Sequence, residues 1–177
     1  LTGHNSSAGY GLNSSNVIAA ASGTSSSALD HGYLDDEATQ VELGALVGGT
    51  TSYPRAINEN GWVTGYAHSD VVDEQGRQQH AFLYDGNSLN DLGTLAGTIY
   101  THHGRGFSLN ASNHIVGAAL ALDGLSRAFF RDGTAAAALD LGVLPGGSSS
   151  EANGINLFGQ IVGKSTVAVP VPGGGGI

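Results

Sequence analysis

The feature that most constrains the fold of this 177-residue chain is an internal repeat of three phrases in fixed order. The first phrase is an apolar residue followed by Asn, and it recurs at Asn13, Asn58, Asn110 and Asn156, which lie 45, 52 and 46 residues apart. The second is aromatic and recurs as His31-Gly32-Tyr33-Leu34, His80-Ala81-Phe82-Leu83 and Arg127-Ala128-Phe129-Phe130. The third is Leu-Gly-x-Leu, at residues 43–46, 92–95 and 141–144. Three phrases kept in register predict a repeat architecture.

Each unit contains four short β-rich stretches, A to D. In the second unit these are an A strand ending at Ile57-Asn58, a B strand from Trp62 to Ala67, a C strand from His80 to Tyr84 and a D strand from Leu89 to Leu95. Asn60-Gly61 between A and B is a favoured hairpin turn, because both residues tolerate positive φ. Helical periodicity is absent. Four strands in about 45–50 residues is the period of a propeller blade, so we predict an all-β, β-propeller-like fold of about 3.5 repeats. A β-solenoid is the alternative, although its usual repeats are shorter.

The repeat also predicts the domain organisation. We expect one repeat domain over residues 1–166, with repeats at approximately 9–53, 54–104 and 105–151 and a half repeat at 152–166. A tail rich in Pro and Gly follows at residues 167–177.

The composition excludes several classes of function. Acidic residues number 15 and basic residues 6, for a formal charge of −9, so the chain lacks the basic surface that a nucleic-acid binder needs. Charged residues make up 12%, about half the usual share, which is typical of secreted β proteins. There is no Cys for a disulfide or a thiolate metal site. No apolar run approaches the roughly 20 residues of a membrane span.

Two segments resemble known families. Residues 56–97, with His80, Ala81 and Phe82 intact, and the corresponding phrases of the third and fourth units resemble the HAF family of bacterial extracellular repeats; the first unit has Gly32 and Tyr33 where Ala and Phe are typical. This resemblance implies an extracellular or cell-surface location and a β-propeller-like fold. Val167 to Pro172 resembles the start of a PEP-CTERM sorting signal, which accompanies exopolysaccharide in exported proteins. The apolar helix and basic end of such a signal are missing, so a removed anchor, an incomplete tail and an ordinary flexible tail all remain open.

The half repeat predicts an unpaired sheet edge, because it supplies strands A and B alone. Such an edge is a template for pairing with another strand. Three solutions follow: closure within one chain with Leu1 to Ala8 as a latch, a ring of two chains, or a filament in which each chain completes the next. We expect a contact between chains, and therefore a homo-oligomer or filament.

The best candidate binding face is formed by the segments that connect strand D of one unit to strand A of the next. Loops on a rigid scaffold often carry function. A face that combines aromatic, Arg and carboxylate groups suits a glycan, such as a polysaccharide, or a polar partner. The candidate residues are Tyr53, Arg55, Tyr100, His102, His103, Arg105 and Glu151.

The sequence favours no catalytic site, no cofactor and no metal. His102 and His103 are adjacent, so on a strand their side chains point to opposite faces, and the chain lacks a supporting metal-ligand spacing. Calcium is a minor alternative at two acidic loops, and the sequence lacks the ordered Asp pattern of a calcium loop. Those acidic residues are Asp30, Asp35, Asp36, Glu37, Asp70, Asp73 and Glu74. The four repeated asparagines, and His80 and Arg127 at equivalent places, are expected to be structural. We therefore predict a secreted, non-catalytic structural or matrix protein that self-associates through its incomplete blade; the alternative is a glycan- or exopolysaccharide-binding propeller module.

Overall fold

The computed structural model describes residues 3–24, 31–73, 76–93, 95, 103–121, 123–133 and 137–167. The elements in these ranges are β-strands in four antiparallel sheets, in which strands that are consecutive in sequence are neighbours in space. The first sheet contains β1 (Ser6–Leu12), β2 (Ile18–Gly23), β3 (His31–Asp35) and β4 (Gln40–Glu42). The second contains β5 (Ser52–Ile57), β6 (Val63–Asp73), β7 (Gly76–Tyr84) and β8 (Leu89–Asp91). The third contains β9 (Gly104–Leu109), β10 (His114–Leu120), β11 (Ser126–Asp132) and β12 (Leu139–Asp140), and the fourth contains β13 (Ser150–Ile155) and β14 (Ile161–Ser165).

The predicted all-β, β-propeller-like fold is confirmed. The first strand of each sheet packs on the first three strands of the preceding sheet: β5 on β1–β3, β9 on β5–β7, and β13 on β9–β11. This face-to-face stacking of short meanders is the arrangement of propeller blades. None of the described segments is a helix with the length and apolar character that a membrane crossing requires.

Apolar side chains fill the space between consecutive sheets. Between the first and second sheets, Leu43 and Leu46 pack with the fully buried Phe82. Between the second and third, Phe129 takes the corresponding place against Leu92 and Leu95. A smaller cluster joins the third and fourth sheets, and its members are Val116, Ala128, Phe130, Ala152, Ile155 and Ile161. Each interface therefore buries an apolar core, and the last one is the smallest.

The repeated asparagine organises the turn between the first two strands of every sheet. Oδ1 of Asn58 accepts hydrogen bonds from the backbone N–H groups of Asn60 at 3.0 Å and Trp62 at 2.9 Å. Asn13, Asn110 and Asn156 bind their own turns in the same way. The prediction that these side chains satisfy the turn backbone is confirmed.

The amide nitrogens of the same asparagines join the sheets to one another. Nδ2 of Asn13 donates to the carbonyl oxygen of Asn58 at 3.2 Å, Asn58 to Asn110 at 2.9 Å, and Asn110 to Asn156 at 3.0 Å. In the last sheet, Nδ2 of Asn156 donates within its own turn, to Oε1 of Gln160 at 2.7 Å. We call this series the asparagine ladder.

Several local expectations differ from the structure. The B and C strands of the second sheet are longer than predicted, since they cover Val63–Asp73 and Gly76–Tyr84. In the turn after Asn58 the positive φ falls on Gly61 (78°) alone and not on Asn60, because Gly61 N–H closes a wider turn onto the Asn58 carbonyl. The D strand of the second sheet ends at Asp91 rather than Leu95. Residues 6–8 are not a closing latch, because they pair with β2 as part of the first sheet.

Candidate functional site

Each first strand carries a β-bulge at the same place. The residue three positions before the repeated asparagine has no paired residue on the neighbouring strand. A bulge bends its strand and re-aims the extra side chain. The four bulge residues are Tyr10, Arg55, Phe107 and Asn153.

The bulges bring side chains from all four sheets to one cavity. Tyr10, Arg55, Phe107 and Asn153 line a volume of about 380 Å³ together with Glu151. We call this the axial cavity, since one strand from every sheet contributes to it. The Arg55 guanidinium carbon lies 5.8 Å from the centre of the Tyr10 ring, within the range of a cation–π contact. Glu151 also forms an ion pair with Lys164 at 3.1 Å.

In three of the four sheets the bulge lies beside a glycine of the neighbouring strand. A Cβ placed on Gly65, Gly117 or Gly163 would lie 2.0, 1.9 or 2.0 Å from the carbonyl oxygen of a residue in the adjacent first strand. Side chains are excluded there because the bulged backbone turns a carbonyl towards the second strand. The first sheet has Ala20 at this position, opposite Gly9.

A second group of side chains lies between the second and third sheets. The rings of Tyr53 and Tyr66 stack with centroids 4.8 Å apart, and the Arg105 guanidinium carbon lies 5.0 Å from the Tyr66 ring centre. Nε and Nη2 of Arg105 both donate to Oε1 of Gln79, at 3.0 and 2.8 Å. These contacts occupy Tyr66 and Arg105 with neighbouring protein groups.

The predicted binding residues therefore divide into two places. Arg55 and Glu151 line the axial cavity, whereas Tyr53 and Arg105 belong to the stacked group. His103 forms an isolated bridge with Gln79 through its backbone, and Tyr100 and His102 lie outside the described residues. Sequence reasoning missed three cavity residues, Tyr10, Phe107 and Asn153. Their common position three residues before the repeated Asn was a signal available in the alignment of the units.

Asp35, Asp36 and the equivalent His80 and Arg127 have structural contacts. Oδ1 of Asp36 accepts hydrogen bonds from the N–H and hydroxyl of Thr39 and from the N–H of Ala38, which lower the pKa of that carboxyl. His80 pairs with Asp91 at 2.8 Å, and Arg127 donates to the carbonyl of Ser148 at 2.9 Å. Within the described ranges, no three His, Asp or Glu side chains gather as a metal site requires. Asp30 and Glu74, and the side chain of Asp73, lie outside that description.

The fourth sheet leaves an open groove beside β14. The groove is bounded by Leu141 and Leu144 of the third sheet and by Ile161 and Gly163 of β14, and its volume is about 410 Å³. The equivalent leucines at the two complete interfaces, Leu43, Leu46, Leu92 and Leu95, are 2–7% exposed. Leu141 and Leu144 are 41% and 54% exposed. The difference arises because no third strand is paired with β14 in the described part of the chain.

Comparison with known proteins assigns the chain to a family. Residues 4–172 match the family described as protein of unknown function (DUF3466), and the chain belongs to it. No curated protein and no solved structure matches the chain.

Proposed function

We propose that this protein is a non-catalytic repeat scaffold of the extracellular space or cell surface that self-associates through its incomplete fourth sheet. The single observation that carries the proposal is the open groove. Two leucines that are buried at every complete interface are exposed here, next to a strand whose outer edge is unpaired in the described chain. Exposed apolar surface beside an unpaired edge favours strand addition.

The composition and the family resemblance support the location. A low share of charged residues and the resemblance to HAF repeats both favour an exported protein built from small polar and apolar residues. The resemblance of Val167 to Pro172 to a sorting signal favours export together with exopolysaccharide.

Sedimentation velocity across a range of concentrations tests self-association. We expect the wild-type chain to form larger species as its concentration rises. Leu144→Asp should shift the protein to monomer, because the substitution places a charge in the apolar groove. Leu139→Asp is the matched control: Leu139 belongs to the same sheet, is 60% exposed and does not line the groove. A monomer at all concentrations, or equal effects of the two substitutions, would refute the proposal. Electron microscopy of the associated species distinguishes rings from filaments.

The axial cavity favours a second candidate function, the binding of a glycan such as exopolysaccharide. Its walls combine two aromatic rings, a guanidinium, an amide and a carboxylate. Sugars present apolar C–H faces and a rim of hydroxyls, and a mainly concave site with a few polar groups suits such ligands. A pull-down with native exopolysaccharide, or a glycan array, is the direct measurement.

Two arginine variants separate the candidate sites. We expect Arg55→Ala to abolish glycan retention, since Arg55 lines the axial cavity. Arg105→Ala should leave retention unchanged, because the Arg105 guanidinium is engaged by Gln79 and Tyr66. Retention that depends on Arg105 alone would move the binding site to the stacked group, and no retention at all would reject this candidate.

A further inference from the structure

At each of the two complete interfaces, a phenylalanine of the third strand occupies the position that is open beside β14. In the second sheet, β7 pairs with β6 so that Phe82 lies opposite Gly65; in the third, β11 pairs with β10 so that Phe129 lies opposite Gly117. Both phenylalanines are almost fully buried, at 0% and 3% exposure. Each packs against the two leucines of the preceding sheet.

The glycine opposite Phe129 makes room for its ring. A Cβ on Gly117 would lie 2.9 Å from Cε1 of Phe129, in addition to its clash with the neighbouring carbonyl. The residue before each phenylalanine is alanine, and the residue after it is apolar. The third strand of the second and third sheets therefore has the pattern small, aromatic, apolar, with its aromatic residue opposite a glycine; in the first sheet Tyr33 lies opposite Ala20.

The groove beside β14 has a glycine and two leucines at the positions that surround the phenylalanine in the second and third sheets. Gly163 is the β14 counterpart of Gly65 and Gly117, as its position opposite the bulged strand shows. Leu141 and Leu144 correspond to the leucines that cover Phe82 and Phe129. The cavity of about 410 Å³ lies between them and β14.

We propose that the open groove binds an extended polypeptide segment of the pattern small, aromatic, apolar. This inference rests on the proposed self-association and specifies what the groove accepts. The segment runs antiparallel to β14. Its aromatic side chain lies opposite Gly163 and enters the groove between Leu141 and Leu144, its small residue lies opposite Lys164, and its apolar residue lies opposite Val162.

The chain itself carries segments of this pattern, which makes a second copy a chemically suitable donor. Gly32-Tyr33-Leu34, Ala81-Phe82-Leu83 and Ala128-Phe129-Phe130 all match. Exchange of an identical element between copies is a known route to oligomers.

A synthetic peptide with the sequence of β11, Ser126–Asp132, is the direct probe. Labelled peptide is titrated with the 177-residue chain at concentrations where sedimentation shows monomer, and binding is followed by fluorescence anisotropy. We expect saturable binding. A Phe129→Ala peptide should bind at least about tenfold more weakly, because anchors in a desolvated pocket dominate such interfaces. A Phe130→Ala peptide is the matched control and should bind nearly as well, because neighbouring side chains on a strand point to opposite faces and Phe130 faces away from the groove.

Variants of the chain locate the binding. Leu144→Asp and Leu141→Asp should each abolish peptide binding, and Leu139→Asp should preserve it; circular dichroism verifies that all three remain folded. Equal binding of the two alanine peptides, or binding that survives both groove substitutions, would overturn the inference. Sedimentation separates this failure from that of the proposed function. If Leu144-dependent association persists without peptide binding, self-association stands and the strand pattern is wrong.

Discussion

The asparagine ladder leads to a sharp test of what holds the repeats together. Asn58 is 5% exposed, and its side chain makes four hydrogen bonds. Two are accepted from its own turn, and two are donated across the interface, to the Asn110 carbonyl at 2.9 Å and to Oδ1 of Asn113 at 2.8 Å. Asn156 occupies the same position in the last sheet and is exposed, and its side chain makes its hydrogen bonds within its own turn.

The expected losses follow from this difference. A buried hydrogen bond contributes about 1 kcal/mol net, so Asn58→Ala should lower the free energy of unfolding by about 4 kcal/mol. Asn156→Ala should lower it by about 1 kcal/mol, because water replaces the lost contacts of an exposed side chain. Asn58→Asp keeps the oxygen that accepts from the turn and removes the donor to the next sheet. We expect it to lose about 2 kcal/mol at neutral pH, with a carboxylate now facing a carbonyl oxygen.

Urea denaturation followed by the fluorescence of Trp62 measures these losses. Trp62 is the single tryptophan and packs at the interface between the second and third sheets, so its signal reports the contact that Asn58 secures. The slope of the transition shows whether the chain still unfolds as one unit. Equal losses for the alanine variants of Asn58 and Asn156, or an Asn58→Asp variant as stable as wild type, would refute the role of the ladder.

Three further outcomes test other parts of the structure. Gly117→Ala should lower the free energy of unfolding by about 3 kcal/mol or prevent folding, since its Cβ would lie 1.9 Å from a carbonyl oxygen. Ala20→Gly at the equivalent position should change the free energy of unfolding by about 1 kcal/mol or less in thermal unfolding. A well-folded Gly117→Ala protein would contradict the bulge geometry. Phe82→Ala should lower the free energy of unfolding by about 3–5 kcal/mol in the same assay, because it removes the ring from the core between the first two sheets. A loss below about 1 kcal/mol would contradict that packing. Burial raises the pKa of Asp91, but hydrogen bonds from His80 and a backbone N–H outweigh it and leave that pKa below its ordinary value. A carboxyl whose pKa is lower in the folded state stabilises the fold above about pH 3.9, and this stabilisation is lost as the pH falls through the folded-state pKa. The stability difference between wild type and Asp91→Asn should therefore be largest near neutral pH and shrink below about pH 4. A difference independent of pH would contradict this coupling.

Much of the fold follows from local sequence patterns. The order of the three phrases, with their apolar-Asn pairs and the aromatic phrases around Phe82 and Phe129, predicts four-stranded meanders, and three such meanders are present. The role of Asn58 in its own turn was also predictable, because an Asn side chain that bonds to the backbone two residues on is a local interaction. The exact turn geometry after Asn58 was not, because the choice between a tight turn and a wider one depends on how the flanking strands are twisted.

The candidate sites depended on contacts that no single unit contains. The alternation of a strand assigns each residue to a face, and one extra residue at a bulge changes the direction of the side chain. Tyr10 and Phe107 were therefore not identified as cavity residues, although Arg55 at the same repeat position was.

The sequence was sufficient to determine what one unit is, because strands, turns and their glycines are set by interactions between residues close together in the chain. Tertiary structure decided how the units meet. It turned four local asparagines into a ladder, brought four bulges to one cavity, and left Leu141 and Leu144 exposed where their counterparts are buried. The physical reason is that the burial of a side chain, and which side chains meet at one site, depend on which strands lie side by side. Beside β14, the described chain has Leu141 and Leu144 but lacks the third strand that covers the equivalent leucines in the other sheets.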